Sequence, residues 1–241
     1  GQRCALNITG INKTELRKGA WLTSDETGLM TDRIDVKFET SRSLPFFIKH
    51  RLPVKFYLGA SRISAKLCLL ERKQMDNKIS SGERIFAQIH FENEVHCYLG
   101  DRFILRDYSE STMLGGGVVL DPLASRMSHL DSRHRIYLES LASLSPEEFL
   151  RHEVFDQQKT VDLDRFLRIW NITDKELTEL LKLPTFTKVT TVIICDGYRY
   201  LVANDQCDAV DKVILEFLGG WHDANPRSEG IQLKIFTNTL E

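Results

Sequence analysis

The sequence has no apolar run near the roughly 18–20 residues that a bilayer crossing requires. Its first residues also lack the basic-then-apolar order of a secretory leader. A cytoplasmic protein that is not exported and has no membrane partner is therefore expected. Cysteine is sparse: five stand at 4, 68, 97, 195 and 207, an odd number without a CxxC pair. That pattern argues against a disulfide framework and a zinc site, and it fits a reducing compartment.

The signatures of nucleotide binding and hydrolysis are missing as well. Gly115-Gly116-Gly117 runs into Val118-Val119-Leu120, a strand-like continuation, whereas a phosphate loop needs GxxxxGK[ST] between strand and helix. The glycines are expected to let a strand kink. Asn12-Lys13-Thr14-Glu15 carries Glu where the guanine-reading Asn-Lys-x-Asp pattern has Asp. Histidines 50, 90, 96, 129, 134, 152 and 222 form no HExxH, and no GxSxG is present. No catalytic residue, metal ligand or cofactor is expected in this chain.

What is present fits one to three domains in 241 residues, with 42% apolar residues to build their cores. The formal charge of −2 hides a division. Residues 1–122 carry 18 Lys+Arg against 15 Asp+Glu, and residues 123–241 carry 14 against 19. The first half is the expected polyanion binder.

From residue 33 to 120 apolar residues alternate: Ile34, Val36, Phe38; Val54, Phe56, Leu58; Ile63, Ala65, Leu67, Leu69; Ile85, Ala87, Ile89, Phe91. This is the period of half-buried antiparallel strands, and the intervening turn residues suit a compact Greek-key-like barrel. After Asp121-Pro122 the period becomes helical. Ile136, Tyr137, Leu141 and Leu144 suggest a first helix, and Ser145-Pro146-Glu147-Glu148 a capped second one. Leu163, Phe166, Leu167 and Trp170 make an amphipathic stripe, and Thr173 with Glu176 a further capping box. Runs 188–194 and 199–202 flank Asp196-Gly197, a favoured hairpin turn. Helices followed by a short hairpin describe a winged helix. A long stripe from Val210 to Trp221 and a further helix over 231–240 suggest the start of a second one.

Cations cluster in the first half: Lys49-His50-Arg51, Arg62 and Lys66, Arg72-Lys73, Lys78 and Arg84. Either they contact phosphates or they form a solvated face. Alternation puts Arg102 and Arg106 on one side of a strand, to grip RNA or to pair with Asp101, Asp107 or another domain. In the expected winged helix the third helix carries Lys175, Glu176, Glu179 and Lys182, charges that cancel and suit a spacer better than a DNA reader.

Gly100-Asp101-Arg102-Phe103-Ile104-Leu105-Arg106-Asp107 and Leu114-Gly115-Gly116-Gly117-Val118-Val119-Leu120-Asp121-Pro122 resemble the strands that close the third domain of selenocysteine-specific elongation factors, relatives of elongation factor Tu. Residues 1–28 resemble the end of the preceding barrel. The resemblance implies a domain-three barrel over 29–122, a winged helix over 123–205 and the start of a second over 206–241. It further implies a role in delivering selenocysteinyl-tRNA to the ribosome at UGA codons. GTP and magnesium would belong to a GTPase domain, and the mRNA insertion hairpin to a last winged helix, neither within this chain. Lys49, His50, Arg51, Arg102 and Arg106 become tRNA-binding candidates. Arg3 falls on the strand that lines the aminoacyl pocket in such domains, where a guanidinium favours an ionised selenol over a serine hydroxyl; the alternative is a barrel-edge arginine. The same barrel also serves other tRNA- or rRNA-binding factors, and a winged helix alone would suit a transcription regulator.

Overall fold

The computed structural model describes residues 4–12, 14, 16, 18–23, 29–71, 78–228, 230–232 and 236. Chain contacts divide it into two compact units, residues 1–149 with 165–174, and residues 150–164 with 175–241.

The first unit is built on strands β1 (Met30–Thr40), β2 (Ile48–Lys49), β3 (Leu52–Leu58), β4 (Ser61–Leu69), β5 (Lys78–Ile79), β6 (Arg84–His96), β7 (Arg102–Asp107) and β8 (Met113–Asp121). Six of these close a barrel in the order β1-β6-β4-β3-β7-β8, while β2 and β5 pair separately. The alternation seen in the sequence is what closes it. Ile34, Val36, Phe38, Val54, Phe56, Leu67, Leu69, Ala87, Ile89, Leu105 and Val119 all turn inward and are buried. At about 25 cal/mol per Å² of apolar surface removed from water, this lining is the main stabilising term. Phe56 stacks on Phe103 at 5.0 Å and meets Phe91 edge-on at 5.0 Å, filling the centre.

Gly117 shows why glycines sit in β8. A Cβ there would run into Lys37 O of the neighbouring strand and come within 2.8 Å of Phe103 Cζ. The three glycines let β8 lie close between β1 and β7. This stretch is paired strand backbone, so it does not fit the phosphates of a nucleotide.

Helix α1 (Ser132–Ser143) follows, capped by Asp131, whose carboxylate accepts from His134 N at 2.7 Å. Helix α2 (Pro146–Arg151) begins as its capping box predicts: Ser145 N donates to Glu148 Oε2 at 2.9 Å, and Glu148 N donates to Ser145 Oγ at 3.3 Å. It continues as a π-helical turn over His152–Asp156. Strand β9 (Val161–Asp162), helix α3 (Leu163–Trp170) and helix α4 (Asp174–Leu181) come next. Strands β10 (Thr190–Cys195) and β11 (Tyr198–Ala203) form the expected hairpin, and β11 also pairs with β9. At its turn Asp196 has φ 51° and Gly197 φ 84°, the two positive values a type I′ turn requires. Helix, short strand, two helices and a hairpin follow one another in winged-helix order. Helix α5 (Asn204–Ala224) follows in the second unit.

Three expectations need correction or limits. Among the described residues of 4–23 there is no strand, although residues 1–28 resemble the end of a barrel. A strand needs an edge to pair with, and the described residues of 4–23 form no ladder. On α3 the buried positions are Leu163, Phe166 and Ile169, whereas Leu167 and Trp170 are half-buried, so the buried face is rotated from the predicted stripe. The helix expected over 231–240 falls mostly outside the described residues; Phe236 is helical, and its ring meets Phe217 at 5.4 Å.

Candidate nucleic-acid interface

Strand alternation that points one set of side chains into the barrel points the other set out. On β7 the order exposed Arg102, buried Phe103, exposed Ile104, buried Leu105, half-buried Arg106 places both arginines on the outer face. Arg106 lies opposite Lys55 of β3, which lies opposite Ser64 of β4. Lys55 Nζ donates to Ser64 Oγ at 2.7 Å and stands 4.4 Å over the ring of Tyr108. Two positions along, Tyr57 lies opposite Arg62. Glu110 accepts from the Tyr57 hydroxyl and from Arg62 Nη1 at 3.1 Å. The Tyr57 contact lowers the Glu110 pKa, with Arg62 adding to the effect, while the same contact raises that of Tyr57. Arg106 Nε is buried with no hydrogen-bond partner among the described residues.

The outer face of β4-β3-β7 thus presents Arg62, Lys66, Lys55, Arg102 and Arg106, interleaved with Tyr57 and Tyr108 and with one acid, Glu110, engaged by two of them. Cations that meet phosphates, set beside aromatic faces on which bases stack, are the two elements of sequence-tolerant nucleic-acid binding.

At the β2–β3 turn the structure separates the Lys49-His50-Arg51 cluster. Exposed Lys49 pairs with Lys78 across β2 and β5. His50 and Arg51 instead line a cavity of about 290 Å³ together with Cys68, His90, Arg126, Met127 and Ser128. Arg84 is elsewhere on the barrel, paired with Glu39 at 2.7 Å. Arg3, Arg72 and Lys73 lie outside the described residues.

Sequence patterning missed Lys55, Tyr57 and Tyr108 as members of the face, and His90 and Arg126 as members of the cavity. Alternation along β3 marks Lys55 and Tyr57 as outward-facing. Nothing local marks their neighbours on β7, because register is set by pairing between strands distant in sequence.

Below the cavity lies a polar network. Gln88 is fully buried; its Nε2 donates to Asp35 Oδ1 at 2.8 Å and to Ser125 O at 2.9 Å. That leaves Gln88 Oε1 to accept from His90 Nε2 at 2.6 Å and from Met127 N at 3.4 Å. The residue therefore ties the segment after β8 to the barrel wall.

On the winged-helix elements, Lys182 pairs with Glu179 at 2.9 Å, both well exposed. No group of three or more His, Cys, Asp or Glu side chains suited to a metal occurs among the described residues. Cys68 and Cys97 are buried, and burial pushes Cys97 up to about 12.

Comparison with known proteins converges on one group. Residues 31–126 match the family described as selenocysteine-specific elongation factor, beta-barrel domain. Over 235 residues, 96% of the chain, there is 28% identity to the selenocysteine-specific elongation factor of Desulfomicrobium baculatum, of which 36% is covered. The Haemophilus influenzae protein of the same name is 33% identical over 149 residues, 61% of the chain and 22% of that relative. The Escherichia coli one is 28% identical over 235 residues, 95% of the chain and 34% of the relative. A crystal structure of a bacterial selenocysteine-specific elongation factor superposes over 95% of the chain and 33% of its own length, with a TM-score of 0.56 and 16% identity, a likeness of fold alone. The chain spans about a third or less of the length of these curated relatives.

Proposed function

We propose, because residues 31–126 match the β-barrel domain family of selenocysteine-specific elongation factors, that this chain is the tRNA-binding barrel and winged-helix portion of a cytoplasmic factor that delivers selenocysteinyl-tRNA to the ribosome at UGA codons. The observation that carries the reading is the outer face of β4-β3-β7, where Lys55, Arg62, Lys66, Arg102 and Arg106 stand among Tyr57 and Tyr108. Phosphates of a tRNA stem would meet the cations there. Lys49, His50 and Arg51 extend the same basic half of the chain. The winged-helix elements act as a spacer, consistent with a net acidic half and with Glu179 of α4 paired to Lys182 just beyond that helix. Arg3 would face the esterified amino acid.

The chain itself is no enzyme in this reading. GTP and magnesium would belong to a GTPase domain outside it, a reading supported by Gly115–Gly117 being paired strand backbone. Recognition of the mRNA insertion hairpin belongs to a module outside it as well.

Two other readings make different demands. Another tRNA- or rRNA-binding factor would use the same face without preferring a selenocysteinyl adduct, and a winged-helix transcription regulator would bind duplex DNA. Filter binding of the chain to aminoacyl-tRNA and to duplex DNA, each across a salt series, separates them. The expected result is weak, salt-sensitive tRNA binding that Lys55→Glu with Arg106→Glu abolishes, and no comparable DNA binding. Preference for DNA would overturn the proposal.

A further inference from the structure

The cavity at the end of the basic face has a composition of its own. Its lining comes from four separate places: His50 and Arg51 from the β2–β3 turn, Cys68 from β4, His90 from β6, and Arg126, Met127 and Ser128 from the segment after β8. Two guanidiniums, two imidazoles and a hydroxyl converge on it, and no carboxylate of the described residues lines it. Two acids of the neighbouring strand β1 are engaged elsewhere: Asp32 with Arg33 at 2.9 Å, and Asp35 with Gln88 and His134.

We infer that this cavity seats a single phosphate group, either a free oxyanion or one phosphodiester of a bound RNA. Size favours that class of ligand. At about 290 Å³ it lies just below the roughly 300–1,000 Å³ of pockets that hold whole small molecules. Counting about 30 Å³ for each water, it has room for a phosphate with part of its hydration shell.

Three features show that the seat is held in place. Gln88 fixes the Arg126–Ser128 segment through Ser125 O and Met127 N. The same side chain accepts a hydrogen bond from His90 Nε2–H, so Nδ1 is left as the atom that gains or loses a proton. Arg51 adopts φ 61°, a left-handed backbone that non-glycine residues take up rarely and that often marks a functional position.

Electrostatics agree with the geometry. Burial depresses the His90 pKa, and Arg33, Arg126 and Arg51 press it further down, with Asp32 opposing them. Lys66 lies directly opposite His90 on β4, and His50 and Cys68 complete the surroundings. An anion in the cavity offsets this positive field. It would raise the His90 pKa, and by linkage its own affinity would rise as pH falls through the titration of His90.

The free-oxyanion form stands without the tRNA reading, whereas the RNA form rests on it, and the test keeps the two apart. Inorganic phosphate is titrated into the 241-residue chain at low salt while the histidine ring protons are followed by NMR, with His90 assigned from His90→Gln. In parallel, tRNA binding is measured across a salt series. Both arms use wild type, Arg51→Ala with Arg126→Ala, Arg51→Lys with Arg126→Lys, and Lys37→Ala, which removes an exposed cation outside the cavity. Arg51 and Arg126 are exposed, so these variants keep the fold.

Saturable movement of the His90 resonance with a raised pKa is expected, lost in the double alanine variant and kept in the double lysine and Lys37→Ala variants. If RNA supplies the phosphate, the double alanine variant also lowers the salt slope of tRNA binding by about one to two units. Phosphate binding with an unchanged slope assigns the seat to a free oxyanion. Absence of tRNA binding in every variant defeats the proposed function while the phosphate arm still decides this inference. Phosphate movement that survives in the double alanine variant, or no saturable movement together with an unchanged slope, overturns it.

Discussion

Asp35 on β1 and Asp121 on β8 face each other at one position of the barrel ladder, and both are buried. Each carboxylate has its own partners. Asp35 meets His134 Nε2 at 2.7 Å and Gln88 Nε2 at 2.8 Å, while Asp121 accepts from Arg165 Nη2 at 2.5 Å and from the Tyr137 hydroxyl at 3.1 Å. Burial pushes the Asp121 carboxyl upward against the pull of Arg165. Burial likewise opposes the Arg165 charge, but Asp121 and Tyr137 together outweigh it and raise its pKa. Two like charges buried side by side would repel; here side chains of α1 and α3 answer them.

Removing one partner should therefore cost more than removing both. Arg165→Ala is expected to destabilise the fold by about 3 kcal/mol, the lower end for a broken buried pair because the side chain of Arg165 is 36% exposed. Asp121→Asn combined with Arg165→Ala should lose less than the sum of the single changes. Urea denaturation of the four proteins measures the coupling. Strict additivity would show that the two groups do not interact.

The depressed pKa of His90 makes a pH prediction. The unfolded chain binds a proton near the ordinary value of 6.5 and the folded chain only below it, so the unfolded state holds more protons between those two values. Stability from this group is complete above 6.5 and is lost as pH falls through 6.5 towards the folded pKa. Between pH 7.5 and 5.5 the urea midpoint of His90→Gln should fall less than that of wild type. Equal falls would mean that His90 is not held neutral.

Gly117 tests the close approach of β8 to β1. A methyl group there meets the backbone oxygen of Lys37, which has no rotamer by which to move away. Gly117→Ala should cost about 3 kcal/mol, the upper end for overpacking. Gly59→Ala is the comparison, since a Cβ there meets nothing within 4 Å and the cost is that of its φ of 55° alone. Thermal midpoints read both, and a milder effect at Gly117 would show that β8 can shift.

Charge reversal tests the proposed RNA surface. Lys49→Glu with Arg51→Glu should weaken tRNA binding and lower its salt slope, each lost phosphate contact removing about 0.9 from the slope. Lys175→Glu with Lys182→Glu should leave it unchanged. If the second pair abolishes binding and the first does nothing, the RNA surface belongs to α4.

Arg3 is tested only in a protein that includes the GTPase domain. There Arg3→Ala is expected to reduce preference for selenocysteinyl- over seryl-tRNA by about 1.5–3 kcal/mol, the range of a charge-assisted hydrogen bond. Competition binding between the two aminoacyl-tRNAs measures it, and unchanged discrimination removes Arg3 from the pocket.

Much of this protein follows from sequence alone, because the signals are local. The two-residue period of Ile34–Phe38 and Ile85–Phe91 specifies strands. Ser145 with Glu148 specifies the start of α2, and Asp196-Gly197 specifies the wing turn, since each is settled by backbone geometry within a few residues. The outward direction of Arg102 and Arg106 follows from the same period. What lies beside those residues does not. Lys55 meets Arg106, His50 and Arg51 meet His90 and Arg126, and Asp35 meets Asp121 through pairings between strands as far apart as β1 and β8. Register across such distances is decided by the whole barrel closing around its apolar lining, so the basic face, the cavity and the buried carboxylate pair exist only in the tertiary structure.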